Sequence, residues 1–132
     1  MTRAELRRYS CLCREIDMER ERLRELEETA DGVGAVRPGG TGGGSGVSDP
    51  VGNRAARLDE LRRVIAGKAD EALEERLRLE RYIASLEDPY IRMIITARYV
   101  QGRSWAGVAD CVGGGNTADG VRMAFTRWTE RE

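Results

Sequence analysis

Taken alternately three and four residues apart from Tyr9, the chain reads Tyr9, Leu12, Ile16, Glu19, Leu23, Leu26, Ala30 and Val33. Only Glu19 interrupts this apolar seam, and residues 3–31 contain neither glycine nor proline. A period of 3.5 residues held over more than three heptads is a coiled-coil pattern, so the segment is committed to a long helix with one face to bury. Its other faces carry mixed Arg and Glu, as solvated coiled-coil flanks do.

A second seam follows at Val51, Arg54, Leu58, Leu61, Ile65, Lys68, Ala72, Glu75, Leu79, Tyr82 and Leu86, with eight of the eleven positions apolar. Asp59 with Arg63 and Glu74 with Arg78 have the i,i+4 spacing of ion pairs on an outer helix surface. Gly67 falls mid-helix, where it costs about 1 kcal/mol relative to Ala; it either permits a close helix approach or serves no packing purpose. Ser48-Asp49-Pro50 reads as the helix start, with Ser48 or Asp49 capping and Pro50 in the first turn.

Residues 32–50, GVGAVRPGGTGGGSGVSDP, separate the two seams, and glycine takes eight of those nineteen places. A phosphate-cradling Walker loop would end in Gly-Lys-Ser/Thr, and this stretch holds no lysine. A disordered Gly-rich linker is the better reading. Two long helices so joined can fold back as an antiparallel hairpin. Each has a single apolar stripe, so a further copy of the chain is expected to complete the bundle as a homodimer or higher homo-oligomer.

Residues 88–132 follow a different plan. Asp88-Pro89 is a new cap and first-turn proline, and PYIRMIITARYV is apolar on most sides, as a central core helix must be. Gly102 suits the left-handed position that ends it. Ser104 can cap the next helix, whose inner face is Trp105, Val108, Ala109 and Val112. Gly113-Gly114-Gly115 and a cap at Asn116 or Thr117 lead to a last helix with Val121, Phe125 and Trp128 on one face. Three short helices with a tight turn before the third make a helix-turn-helix plan. A nucleotide site at GGGNT would need a preceding β-strand, and none is visible. The expected fold is therefore all-α: a coiled-coil hairpin over residues 1–87, then a small helix-turn-helix domain over 88–132.

The segment ARYVQGRSWAGVADCVGGGNTADGVRMAFTRW resembles the C-terminal part of ArpU/RinA-like phage transcriptional regulators, which resemble in turn the region-4 helix-turn-helix of bacterial sigma factors. The resemblance rests on Arg98-Tyr99, Gly102-x-Ser104-Trp105, Val108-Ala109, Gly113 and Val121-Arg122, and the helical front, Gly-rich break and Leu86-x-Asp88 junction are similar too. The turn into the third helix is longer than in the sigma version. The resemblance implies a cytoplasmic, phage- or prophage-derived, sequence-specific DNA-binding protein that regulates transcription.

The residues themselves offer a local rather than a global case for DNA. Net charge is −1, so no overall basic field draws the chain to nucleic acid. Residues 88–132 hold six arginines and five acids. With Val121, Phe125 and Trp128 inward, the outer face of the last helix shows Asp119, Met123, Thr126 and Glu130, flanked by Arg122 and Arg127. The candidate DNA-binding residues are Arg103, Asn116, Thr117, Arg122, Met123, Thr126 and Arg127. Arginines there can grip phosphates, and Met123 and Thr126 can meet base edges; Arg122 and Arg127 read equally well as ordinary solvated charges. Two alternatives remain. One is a protein-interaction module docking on RNA polymerase, and the other a small-terminase-like DNA-packaging component, although that class usually carries its DNA-binding end first.

An enzyme is the poorest reading. Histidine is absent, which removes the commonest general base and metal ligand. Cys11, Cys13 and Cys111 are too few for a structural zinc site and read as small apolar residues in a reducing cytoplasm. No cofactor is expected, and no stretch is long and apolar enough for a membrane partner.

Overall fold

The computed structural model describes residues 1–33 and 50–132, with side chains over 1–29 and 52–132. Residues 34–49, most of the expected Gly-rich linker and the expected Ser48 or Asp49 cap, lie outside the described residues. The described chain is all-helical: α1 (Arg3–Val33), α2 (Pro50–Ser85), α3 (Pro89–Ile95), a π-helical turn (Thr96–Val100), α4 (Trp105–Val112) and α5 (Ala118–Arg131). Pro50 opens α2, as its missing N–H suits it to do.

α1 starts on a reciprocal cap. Thr2 Oγ1 accepts from the Glu5 N–H at 3.2 Å, and Glu5 Oε2 accepts from the Thr2 N–H at 2.7 Å. Thr-x-x-Glu thereby satisfies two amide donors that a helix start leaves unpaired. The Thr2 N–H first, and then the Arg78 guanidinium, hold the Glu5 carboxyl at a pKa of about 2.

Packing divides the chain into two compact units, Met1–Cys13 with Asp70–Glu132, and Arg14–Ala69. In the Arg14–Ala69 unit the helices run antiparallel. Glu27 meets Arg62 at 3.0 Å, while Glu19 and Glu15 reach Lys68 at 3.7 and 3.8 Å. Ile16 and Leu61 are the buried apolar side chains there. Glu19 and Lys68, polar breaks in the two seams, thus answer each other. Exposed pairs of this kind contribute about 0–1 kcal/mol each, so they set register more than stability. On the outer surface Arg62 pairs with Asp59 at 3.3 Å, and the expected Asp59–Arg63 pair gives way to this i,i+3 contact.

In the other unit, Leu6, Leu79, Ile83, Ile91, Ile94, Ile95, Ala97, Tyr99, Val108, Ala109, Val121 and Phe125 form one buried cluster. The first turns of α1 and the end of α2 therefore share a core with α3, α4 and α5. The expected domain limit at residue 88 ignores this, because a helical seam does not reveal what its last turns pack against. Glu75, the last polar break of the second seam, is buried and paired with Arg78 at 3.0 Å and Arg8 at 3.6 Å. Arg78 also reaches Glu5 at 2.8 Å, so Arg78 pairs with Glu75 and Glu5 where the spacing had suggested Glu74. A buried carboxylate deprived of its cations would be strongly destabilising.

The turn into α3 is held at both ends. Asp88 accepts from the Tyr90 N–H at 2.9 Å, and Arg92 donates to the Leu86 and Glu87 carbonyls at 2.5 and 3.1 Å. The helix expected across PYIRMIITARYV ends early: after Ile95 the backbone widens into the π turn, closed by Gln101 N–H to the Thr96 carbonyl at 2.9 Å. Gly102 follows at φ +68°, the left-handed stop expected of it.

Candidate nucleic-acid interface

α4 and α5 form the helix-turn-helix. Ser104 Oγ accepts from the Gly107 N–H at 3.2 Å and caps α4, whose Val108 and Ala109 are buried. Gly113, Gly114 and Gly115 then take φ of +70°, +66° and +77°, a run that side chains resist. GGGNT is therefore a turn between helices. Thr117 caps α5 by accepting from the Gly120 N–H at 3.0 Å, which puts Asp119 in the first turn where its charge suits the helix dipole.

The inner faces are aromatic. Phe125 packs against Tyr99, Trp105 and Trp128 with centroid separations of 5.6, 5.8 and 6.0 Å. The Arg98 guanidinium lies 4.7 Å over Trp105 and donates to the Arg103 carbonyl at 2.9 Å. Arg3 sits 5.7 Å from the Phe125 centroid and donates to Thr129 Oγ1 at 2.8 Å. Such tilted pairs contribute about 0.5–1.5 kcal/mol each beyond burial. They fix α5 on its neighbours and leave its other side to solvent. Burial pushes the Tyr99 hydroxyl's pKa up, opposed by the guanidinium groups of Arg7, Arg98 and Arg3.

The seven candidate residues are not equivalent. Arg122, Met123 and Arg127 are exposed on α5. Arg122 pairs with Asp119 of its own helix at 3.3 Å, both well exposed, and such a pair opens at little cost. Thr126 is half-buried and donates its hydroxyl to the Arg122 carbonyl at 3.0 Å, which leaves mainly its methyl group to offer. Thr117 is exposed, but its oxygen serves the cap. Asn116 is turned inward: its amide donates to the Gly113 carbonyl at 2.6 Å and its oxygen accepts from the Tyr90 hydroxyl at 3.2 Å. Those bonds make Asn116 a brace of the turn, and any base contact would break them. Arg103 stands exposed just before α4, with its Nε donating to Gln101 at 2.7 Å.

Sequence reasoning passed over Arg98 and the arginines of the first turns of α1. Arg98 had a signal, because it lies seven residues before Trp105 across a glycine turn. Arg3 and Arg7 had none, since only the fold brings α1 to this unit. Cys11, Cys13 and Cys111 are free thiols. Among the described residues no three Cys, Asp or Glu side chains converge as a metal site, and no helix is long and apolar enough to cross a membrane.

No protein-family model, no curated protein and no solved structure matches the chain.

Proposed function

We propose that the α4–α5 helix-turn-helix binds duplex DNA with α5 in the major groove, and that the protein is a cytoplasmic transcriptional regulator of phage or prophage type. The observation that carries this reading is the division of α5. Val121 and Phe125 are buried, while Arg122, Met123 and Arg127 stand exposed on a helix whose capped first turns are free to approach a groove. Recognition helices present their first turns to base edges and their flanks to phosphates. Met123, Thr126 and the first turn of α5 are the base-facing part, and Arg122, Arg127 and Arg103 the phosphate-facing part. The resemblance to ArpU/RinA-like regulators supports the transcriptional role.

Few phosphates are neutralised by one such head, so a single copy binds weakly and a homodimer through the long helices gives useful occupancy. The test is a selection of genomic fragments by purified protein at moderate salt. An enriched sequence is expected. The near balance of charge in residues 88–132 favours a second reading, docking on RNA polymerase. Absence of any enriched sequence together with tight polymerase binding would establish that reading instead.

A further inference from the structure

The three glycines between α4 and α5 all take positive φ, and packing does not hold them there. A Cβ built on Gly113 or Gly115 meets nothing within 4 Å, and one on Gly114 meets only the Asn116 amide nitrogen, at 3.8 Å. Glycine loses more conformational freedom on ordering than any other residue, so a run of three needs a tie from outside the run. Asn116 supplies it. Its backbone N–H and its side-chain amide both donate to the Gly113 carbonyl, at 3.3 and 2.6 Å, and close the turn on itself.

The far end of that tie lies in α3. The Tyr90 hydroxyl donates to Asn116 Oδ1 at 3.2 Å, across 26 residues of sequence. Tyr90 is itself held at both ends. Its backbone N–H is bonded to the Asp88 carboxylate at 2.9 Å, and its ring packs on the buried cluster. The residue after Asn116 is the cap of α5. Thr117 accepts from the Gly120 N–H at its hydroxyl and from the Val121 N–H at its carbonyl, both at 3.0 Å. Val121 and Phe125 bury the middle of α5, whereas Thr117, Asp119 and Gly120 are exposed and Ala118 is half-buried. The first turn of α5 has no buried residue ahead of Val121, so its placement depends on what precedes it.

We infer that Tyr90 is a positioning residue for DNA reading: through Asn116 it fixes where the first turn of α5 begins, and so how α5 meets the groove. This role rests on the DNA-binding reading of α5 and brings α3 into it. Recognition helices present their first turns to base edges, so a shift at Asn116 acts where sequence is read. Tyr90 needs no contact with DNA to exert it.

The experiment uses the full chain and two readouts, one of them independent of DNA. The variants are Tyr90→Phe, which keeps the ring and removes the hydroxyl, Asn116→Ala, and the two together. In Tyr90→Phe, hydrogen exchange should quicken several-fold at the Gly120 amide and stay unchanged at Phe125. Affinity for the selected duplex should fall about 2- to 10-fold, the span that one net hydrogen bond sets. The salt slope and the affinity for an unrelated duplex should stay as they are, because no phosphate contact is lost. The double variant should lose no more than Asn116→Ala alone, since both changes break the same tie. Unchanged affinity in Tyr90→Phe overturns the positioning role, whether or not exchange quickens, and leaves α5 its own. A changed sequence preference in Asn116→Ala, with Tyr90→Phe silent, makes Asn116 a base reader and overturns it too. Equal loss on the selected and unrelated duplexes, or faster exchange at Phe125 as well, reduces the effect to general loosening of the head and overturns it. Failure of the unmodified protein to bind any duplex removes the DNA-binding reading and the role of Tyr90 with it.

Discussion

Arg122 and Asp119 stand one turn apart at the start of α5, and their 3.3 Å pair is exposed enough for a phosphate to take the guanidinium over. Arg122→Ala should weaken binding to every duplex alike and lower the salt slope by about one unit, measured by titration across a salt series. Thr117 acts locally instead. Its oxygen is a side-chain acceptor for the first-turn amides of α5, so Thr117→Ala should cost about 1 kcal/mol of stability in a denaturant melt. Glu5 gives the chain an acid sensitivity with a defined sign. Its folded pKa of about 2 lies below the ordinary value of 4.5, so its contribution is complete above about pH 4.5 and is lost as pH falls toward 2. The thermal midpoint should drop across that window, and Glu5→Gln should remove part of the drop. The cap and head contacts of residues 2–10 were the least legible residues of the sequence. Thr-x-x-Glu is a readable helix start, but nothing in the order of residues says that Leu6 will be fully buried in the cluster shared with α3, α4 and α5.

Helices were legible where a period or a cap announced them. Leu12, Ile16, Leu61, Ala72 and Leu79 sit on the apolar seams and are buried, and three of the four seam breaks, Glu19, Lys68 and Glu75, find partners of opposite charge. Asp88, Ser104 and Gly102 act where their chemistry places them. The π turn at Thr96–Val100 was not legible, because winding a turn more widely changes a hydrogen-bond partner without asking for a different residue type. The candidate interface was half legible for a related reason. Periodicity separates the inner from the outer face of α5, but it cannot tell that Asn116 and Thr117 are already occupied within the turn and cap. Gly67 is a direct test of how much α2 depends on intrinsic propensity. A Cβ built there meets nothing within 4 Å, so glycine does not serve a close helix approach. Gly67→Ala should raise stability by about 1 kcal/mol in a denaturant melt. A loss of stability would mean that this face is covered in solution.

At the scale of the whole molecule, the long helices leave more apolar surface than one chain uses. α2 exposes Leu73 and Leu77, one turn apart, and Val64 further up, while α1 exposes Met18 at 72%. An exposed leucine is unremarkable alone, but two at i,i+4 spacing on one helix face form the beginning of a helix-packing stripe. The proposed dimer would cover such a stripe. It would also present two α5 helices to DNA under a two-fold axis, which makes a weakly charged head effective because the second head binds at high local concentration. Sedimentation of the purified chain should therefore show reversible association in the micromolar range. Leu73→Glu combined with Leu77→Glu should shift it to monomer while each head stays folded, since neither side chain belongs to the buried cluster. The same double variant should lose affinity for a two-fold symmetric site far more than for an isolated half-site, because only the former uses both heads. A stable monomer at high micromolar concentration, or equal loss on both duplexes, would separate DNA binding from self-association in this protein.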